Sequence, residues 1–160
     1  MLGLPRRHDL PRDDVETAYL SRAQVWHPDR VTTDDAAAKR RALEASAAIN
    51  EAYRVLRDPV GRLEYLVKRA GIDLDSSDRQ TGAPSPSQVF LMDMIERREQ
   101  LAEAREQGKG EAFRAEIEDA EADAVDAATE AIESGDIPAA AQHLVQRRYW
   151  QRLLDEIDAD

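Results

Sequence analysis

The chain has 160 residues, of which 42% are hydrophobic and 34% charged, a size that fits one domain or two small modules. Only 5% are aromatic, which argues against an all-β fold. The absence of cysteine excludes disulfides, a cysteine nucleophile and direct thiolate ligation of a metal or an iron–sulfur cluster. No apolar run approaches the length of a membrane span, and the first residues lack a signal-peptide core. We therefore expect a soluble, cytoplasmic helical protein with no membrane partner.

The net charge of −11 is unevenly distributed along the chain. Residues 1–75 hold 13 Lys/Arg and 13 Asp/Glu, whereas residues 76–160 hold 9 and 20, so the whole imbalance lies in the second half. Neutralising phosphates requires clustered cations, and the nearest approach to a cluster is Lys39-Arg40-Arg41. We therefore expect no nucleic-acid partner.

The first half of the chain predicts three helices. Their expected spans are Pro11–Trp26, Asp35–Arg57 and Val60–Arg69, because apolar residues recur there at three- and four-residue spacings. The first two helices would form an antiparallel hairpin. The residues at these spacings are Val15, Ala18, Tyr19, Arg22/Ala23 and Trp26 on the first helix, and Leu43, Ala47, Ala48/Asn50, Ala52/Tyr53 and Leu56 lie along one face of the second.

A polar stretch separates the two halves. Residues 73–87 are mainly turn-forming and polar residues, which bury little apolar area, so we predict a linker there. Three further helices are predicted beyond it, at Ser87–Gln107, Glu111–Ser134 and Ile137–Ile157. The sequence therefore predicts an all-α protein: residues 1–72 form a helix hairpin with short flanking helices, and residues 88–160 form a three-helix bundle.

The loop after the first helix contains the tripeptide His27-Pro28-Asp29. Three residues alone are weak evidence, but this loop lies between two amphipathic helices, the second of which ends in the run INEAYRVLRDP at positions 49–59. The arrangement, over residues 2–66, resembles the J-domain of DnaJ-type co-chaperones.

The second half of the chain indicates which family of J-domain proteins the sequence resembles. The run VFLMDMIERREQL at positions 89–101, with Arg148-Tyr149-Trp150 near the end, is similar to the HscB family of iron–sulfur cluster co-chaperones. In that family a J-domain is joined to a carboxy-terminal three-helix domain. The resemblance covers nearly the whole chain, and it implies that residues 1–72 are a J-domain and residues 88–160 a scaffold-binding domain.

The resemblance implies that the loop docks on an HscA/DnaK-type ATPase chaperone and stimulates its ATP hydrolysis. The implied chaperone-binding residues are His27, Pro28, Asp29, Arg22 and Arg30. Pro28 fixes its own backbone and holds His27 extended, so the Asp29 carboxylate can accept two hydrogen bonds from a partner's arginine. The alternative is that His27 packs locally and Asp29 caps the next segment. The complete J-domain pattern favours docking.

The charges near this loop depart from the family pattern. J-domains usually present several Lys/Arg on the helix before the tripeptide, whereas this helix offers Arg22 and few others. Arg30 and the run Lys39-Arg40-Arg41 are the cations nearest in sequence that could replace them.

Catalytic and metal sites are not indicated. The three histidines, His8, His27 and His143, show no metal-ligand spacing, and no nucleophile lies near the loop in sequence. We expect a protein that is not an enzyme and holds neither a metal nor a cofactor.

The helix predicted at residues 87–107 carries two apolar stripes on a helical wheel. Phe90, Met94 and Leu101 fall on one side and are expected in the bundle core. The second stripe either packs against the J-domain or stays exposed for a partner. In the HscB family this helix binds the iron–sulfur scaffold protein IscU, and the positions that match are Leu91, Met92, Ile95, Glu96 and Glu99, with Tyr149 from the last helix.

Three interpretations of function follow. The first is an adaptor that delivers the IscU scaffold to the ATPase chaperone and so assists iron–sulfur cluster biogenesis. The second is a general J-domain co-chaperone with a different client or an oligomerising bundle. The third is a J-like helical protein with a purely structural role, which the intact His27-Pro28-Asp29 disfavours.

Overall fold

A computed structural model describes residues 2–30 and 35–159, with the backbone alone given for Pro28. Over these residues the chain forms six α-helices and one 3-10 turn. The helix ends lie within one residue of those predicted, which confirms the all-α expectation. In chain order the elements are α1 Arg12–Val25, the 3-10 turn Pro28–Arg30, α2 Ala36–Leu56, α3 Pro59–Arg69, α4 Gln88–Glu106, α5 Gly110–Ser134 and α6 Ile137–Asp158.

Local side chains determine where several helices begin and end. The Asp35 carboxylate accepts the backbone N–H of Ala37 at 2.8 Å and caps α2. Asp136 caps α6 in the same way, and α5 ends at Gly135, whose φ of +81° suits glycine. Because these capping residues lie next to the helix ends in the sequence, the helix bounds can be predicted from the sequence alone.

The chain divides into two compact units, residues 1–65 and 66–160. In the first unit α1 packs against α2, and the rings of Tyr19 and Tyr53 stack with their centroids 4.1 Å apart. The Tyr19 hydroxyl also donates to the Asn50 amide oxygen at 3.0 Å. These contacts fix which residues of α1 and α2 lie opposite one another. The buried apolar side chains of the first unit include Leu10, Val15, Ala42, Ile49 and Leu63.

Three of the apolar residues at the helical spacings of the hairpin are exposed in the structure. Leu43 is 62% exposed and Ala47 is exposed, while the neighbouring Ala42 is buried. Ala42 lies one residue, or about 100° of helix rotation, from Leu43, so the buried face of α2 is rotated away from the position of Leu43. Trp26 follows the last residue of α1 and is also exposed.

The second unit contains the bundle of α4, α5 and α6. Phe90 lies edge-on to the rings of Tyr149 and Trp150, with centroid distances of 5.7 and 5.5 Å. The apolar stripe expected in the core, with Met94 and Leu101, is buried. The bundle core consists of Met94, Leu101, Phe113, Ile117, Ala124, Trp150, Leu153 and Leu154.

Residues 73–83, which we predicted to be part of a linker, form a hydrogen-bonded segment of the second unit. Asp73 N–H donates to the Thr81 carbonyl at 2.6 Å, and Ala83 N–H donates to the Ser76 carbonyl at 3.0 Å. A Cβ added to Gly82 would lie 2.4 Å from the carbonyl oxygens of Ser76 and Asp78, so the turn requires glycine. The predicted domain bounds at 72 and 88 stay predictions, while the compact units divide between Tyr65 and Leu66.

Candidate functional site

The candidate loop follows α1 and is held by short-range hydrogen bonds. Trp26 N–H donates to the Arg22 carbonyl at 3.1 Å and ends the helix. Arg30 N–H donates to the His27 carbonyl at 3.0 Å, which closes the 3-10 turn. The backbone of the tripeptide is therefore shaped by its own bonds, with proline fixing φ at its centre. The Pro28 side chain, one of the predicted chaperone contacts, lies outside the described part of the chain.

The polar side chains of this loop point into solvent. Asp29 N–H donates to His27 Nδ1 at 3.3 Å, so the imidazole ring accepts a hydrogen bond from the backbone of the turn. The Asp29 carboxylate lies 3.7 Å from Nδ1, which is beyond hydrogen-bond range. Its side chain is 89% exposed. The carboxylate is therefore open to solvent, with several hydrogen-bond acceptor positions accessible.

The alternative role for Asp29, a helix cap, is not needed for α2. That cap is supplied by Asp35. Of the two predicted arginine contacts, Arg30 is exposed at the end of the 3-10 turn. Arg22 is exposed in the last turn of α1, and a Cβ added to Gly3 would lie 3.6 Å from its guanidinium. The Arg22 guanidinium thus lies beside the amino-terminal segment.

The second candidate surface is the outward side of α4, which we call the α4 face. Met92 and Ile95 are 64% and 58% exposed, and Leu91 is partly exposed. The carboxylates of Glu96 and Glu99 lie on the same side one to two turns further on. Exposed apolar side chains followed by acidic ones form a small patch suited to a partner with an apolar centre and a basic rim.

Tyr149, the sixth predicted scaffold-binding residue, lies on α6. Its ring is half-buried, with the edge of Phe90 against it and the Arg152 guanidinium 5.3 Å from its centroid. Phe90 belongs to the core-facing stripe of α4 and directly precedes Leu91 in the sequence, so this contact packs Tyr149 against the core side of α4. The six predicted scaffold-binding residues therefore come from two adjacent helices.

Sequence reasoning missed one member of this patch. Val89 is 79% exposed at the start of α4, more than any other large apolar side chain in the described residues. It lies three residues before Met92, so the helical spacing that singled out the patch could have included it.

Other kinds of site are not evident in residues 2–30 and 35–159. No group of three or more His, Asp or Glu side chains in these ranges is arranged to hold a metal ion. None of the helices described there is long and apolar enough to cross a membrane.

Comparison with known families matches both parts of the chain. Residues 1–65 match the DnaJ domain, and residues 86–158 match the HSCB C-terminal oligomerisation domain. A co-chaperone protein HscB homolog of Bordetella pertussis is 37% identical over 161 residues, covering 99% of this chain and 92% of the relative. The homolog of Neisseria meningitidis serogroup C is 32% identical over 154 residues, covering 94% and 90%.

Solved structures share the fold. The chaperone HscB from Vibrio cholerae has a TM-score of 0.80 at 23% identity and covers 99% of this chain and 93% of its own. Human co-chaperone protein HscB has a TM-score of 0.82 at 23% identity and covers 99% of this chain and 78% of its own.

A DnaJ domain with an exposed His-Pro-Asp turn, followed by a three-helix bundle, defines a J-domain co-chaperone. The two family matches together cover most of both halves of the chain, so the assignment can be narrowed from J-domain co-chaperones in general to one family. The chain belongs to the HscB family of co-chaperones. Proteins of this family are not catalytic enzymes, so the expectation that the chain is not an enzyme is confirmed.

Proposed function

We propose that this protein stimulates the ATPase of an HscA/DnaK-type chaperone through its His27–Asp29 loop and delivers an IscU-type iron–sulfur scaffold bound to its α4 face. The proposed setting is the cytoplasm and the process is iron–sulfur cluster biogenesis. The observation that carries the proposal is the Asp29 carboxylate, exposed on a hydrogen-bonded turn between two helices that pack on each other. The chaperone performs the hydrolysis, and this protein biases it toward the hydrolysis-competent state.

The ATPase role is tested by Asp29→Asn. The amide keeps the size of the side chain but removes the charge that an arginine of the chaperone would pair with through two hydrogen bonds. We expect stimulation to fall at least about tenfold, in keeping with loss of a charge-assisted pair. The measurement is the steady-state ATPase rate of a purified DnaK-type chaperone against co-chaperone concentration.

The matched control for this test is Asp14→Asn, which makes the same change at an exposed position in the first turn of α1. It should stimulate as the wild type does. Circular dichroism spectra and melting curves establish that both variants fold. A folded Asp29→Asn protein with full stimulation contradicts the proposed role of the loop.

The scaffold role is tested by alanine at Leu91, Met92 and Ile95 together. These side chains are exposed, and alanine favours helix, so the fold of the bundle should be retained. Truncating three apolar residues at the centre of a small interface should weaken scaffold binding at least about 100-fold. Titration calorimetry with purified IscU measures the affinity, and basal ATPase stimulation should be unchanged.

The control for the triple variant is Leu20→Ala with Leu43→Ala, which truncates exposed leucines of the first unit. Scaffold affinity should be unaffected by it. If the triple variant binds IscU as well as the wild type, the α4 face is not the scaffold site.

A second candidate function has one observation in its favour. The family that matches residues 86–158 is described as an oligomerisation domain, and an exposed apolar patch also suits self-association. Sedimentation velocity of the wild type and the triple variant separates the two. A dimer that the triple variant converts to monomer, without any IscU affinity in the wild type, supports the oligomerising bundle.

A further inference from the structure

The motif Arg148-Tyr149-Trp150 contains one residue, Arg148, that belongs neither to the bundle core nor to the predicted scaffold contacts. Its guanidinium donates through Nη1 to the Leu74 carbonyl at 2.8 Å, and Nη2 lies 3.0 Å from the Asp75 carboxylate. The Arg148 side chain is 26% exposed, and Leu74 is buried. A charge-assisted contact that is partly shielded from water holds its partners more firmly than an exposed one. Arg148 therefore fastens residues 74–75 to α6.

The fastened residues belong to a segment that is hydrogen-bonded within itself, residues 73–83. The Asp73 N–H donates to the Thr81 carbonyl, and the Ala83 N–H donates to the Ser76 carbonyl, so bonds join the two ends of the segment. A shift where the segment begins is therefore passed on to its end at Ala83.

A short connection, residues 84–87, links this segment to α4. It reads Pro-Ser-Pro-Ser, and each proline fixes its own φ, which makes the connection semi-rigid. Ser87 then caps the helix, because its hydroxyl oxygen accepts the Phe90 N–H at 3.1 Å. Since the connection is short and stiff, the position of residues 73–83 sets where α4 begins.

The predicted scaffold contacts depend on how α4 lies against α6, because five of them are on α4 and Tyr149 is on α6. At the start of α4 this packing rests on Phe90, whose ring lies edge-on to that of Tyr149 with the centroids 5.7 Å apart. Leu91 and Met92 beside it are exposed and add little packing. The contact made by Arg148 is thus a second hold on this end of α4.

We infer that Arg148 is a positioning residue of the scaffold site: by fastening residues 74–75 to α6, it sets the placement of the start of α4 relative to Tyr149. The inference rests on the proposed function, because the site that it serves is the proposed scaffold site. Arg148 acts through the segment and not through contact with the scaffold. Loss of its contact leaves the helices folded but lets the start of α4 shift, so the scaffold meets a less well-ordered surface and binds more weakly.

The scaffold affinity tests this role. Arg148→Ala should weaken the binding of purified IscU about five- to tenfold, as measured by titration calorimetry with the intact chain at a temperature well below its melting transition. Arg148→Lys keeps the charge and can donate to one of the two oxygens, so its affinity should lie between those of the alanine variant and the wild type.

The matched control is Arg147→Ala. Arg147 is the neighbouring arginine on α6, its side chain is 21% exposed, and it pairs with Glu121 of α5 at 2.7 Å. Removing it costs the bundle a similar ion pair but leaves residues 74–75 fastened. The scaffold affinity of this variant should stay within about twofold of the wild type. Melting curves followed by circular dichroism compare the loss of stability in the two variants.

A double-mutant cycle separates positioning from direct contact. Asp75→Ala removes the charged partner of Arg148 and should weaken scaffold binding several-fold by itself. Because both residues act through one contact, Arg148→Ala with Asp75→Ala should bind no more weakly than Arg148→Ala alone. An arginine that contacted the scaffold directly would give additive losses instead.

The proline connection provides an independent test. Pro84→Gly with Pro86→Gly loosens the link to α4 and leaves the Arg148 contact in place. Scaffold binding should weaken several-fold. Tryptic cleavage after Arg79 should proceed at the wild-type rate, because the segment itself is still fastened.

The outcomes distinguish this inference from the proposed function. An Arg148→Ala protein that binds IscU like the wild type, or like Arg147→Ala, overturns the positioning role while the α4 site stands. Additive losses in the cycle with Asp75, or an unchanged affinity in the Pro84/Pro86 variant, overturn it as well. If the wild-type protein does not bind IscU, the proposed scaffold role fails and the inference fails with it.

Discussion

Arg62 is the single charged residue buried among the described residues, and it links three parts of the first unit. Its Nε donates to the His8 carbonyl and its Nη1 to the Leu56 carbonyl, both at 2.6 Å. The side chain extends from α3 and thereby ties the amino-terminal segment to the end of α2. Because both acceptors are backbone carbonyls, the guanidinium satisfies groups that have little access to other donors.

We expect Arg62→Ala to destabilise the first unit by about 2–4 kcal/mol, since it leaves two carbonyls without their donor and opens a gap. Urea unfolding followed by circular dichroism measures the change. The control is Arg54→Ala, an exposed arginine paired with Glu51 at 2.7 Å, which should cost less than about 1 kcal/mol. Equal midpoints for the two variants would show that Arg62 has no structural role.

At the residue scale, the sequence predicts the loop tripeptide but not the exposure of Leu43, and the difference has a physical reason. The tripeptide His27-Pro28-Asp29 is recognisable because it lies close in the sequence to the two helices on either side of it. The exposure of Leu43 could not be predicted, because hydrophobicity alone does not set the rotation of α2, which depends on contacts such as the Tyr19–Tyr53 stack between residues far apart in the sequence.

At the scale of elements, the segment at residues 73–83 is more ordered than its composition indicates. The Arg148 guanidinium of α6 donates to the Leu74 carbonyl at 2.8 Å and lies 3.0 Å from the Asp75 carboxylate. Lys68 hydrogen-bonds Asp73 at 2.9 Å, which raises the pKa of Lys68 and lowers that of Asp73. The sequence could not predict this order, because Arg148 is 74 residues away from Leu74.

We expect Arg148→Ala to release this segment. Losing the bond to a carbonyl and the ion pair should lower the unfolding free energy of the second unit by about 1–2 kcal/mol. Arg79 is exposed at the tip, so tryptic cleavage after it should become several-fold faster, as measured by mass spectrometry of timed digests.

The control for this variant is Arg98→Ala, which removes an exposed ion pair with Glu156 and does not involve the segment. Cleavage after Arg79 should then proceed as in the wild type. An Arg148→Ala protein that is cut no faster than this control would show that the segment is held by its own turns alone.

At the scale of the whole molecule, charge and structure divide at the same place. The unit that ends at Tyr65 contains 11 Lys/Arg and 11 Asp/Glu, and the remainder contains 11 and 22. The net charge of −11 is thus a property of the bundle. The sequence predicts the all-α class and the helix ends, because composition and capping residues are local signals. Side-chain contacts between distant residues are not predictable in this way.

The two tryptophans also divide between the units, and this gives the protein two built-in optical reporters. Trp26 is 41% exposed beside the loop, whereas Trp150 is 8% exposed in the bundle core. An indole in water emits at longer wavelength than one among apolar side chains, so the two contributions to the fluorescence spectrum differ. Replacing either indole leaves a single emitter, and the unfolding of each unit can then be followed separately in the intact chain.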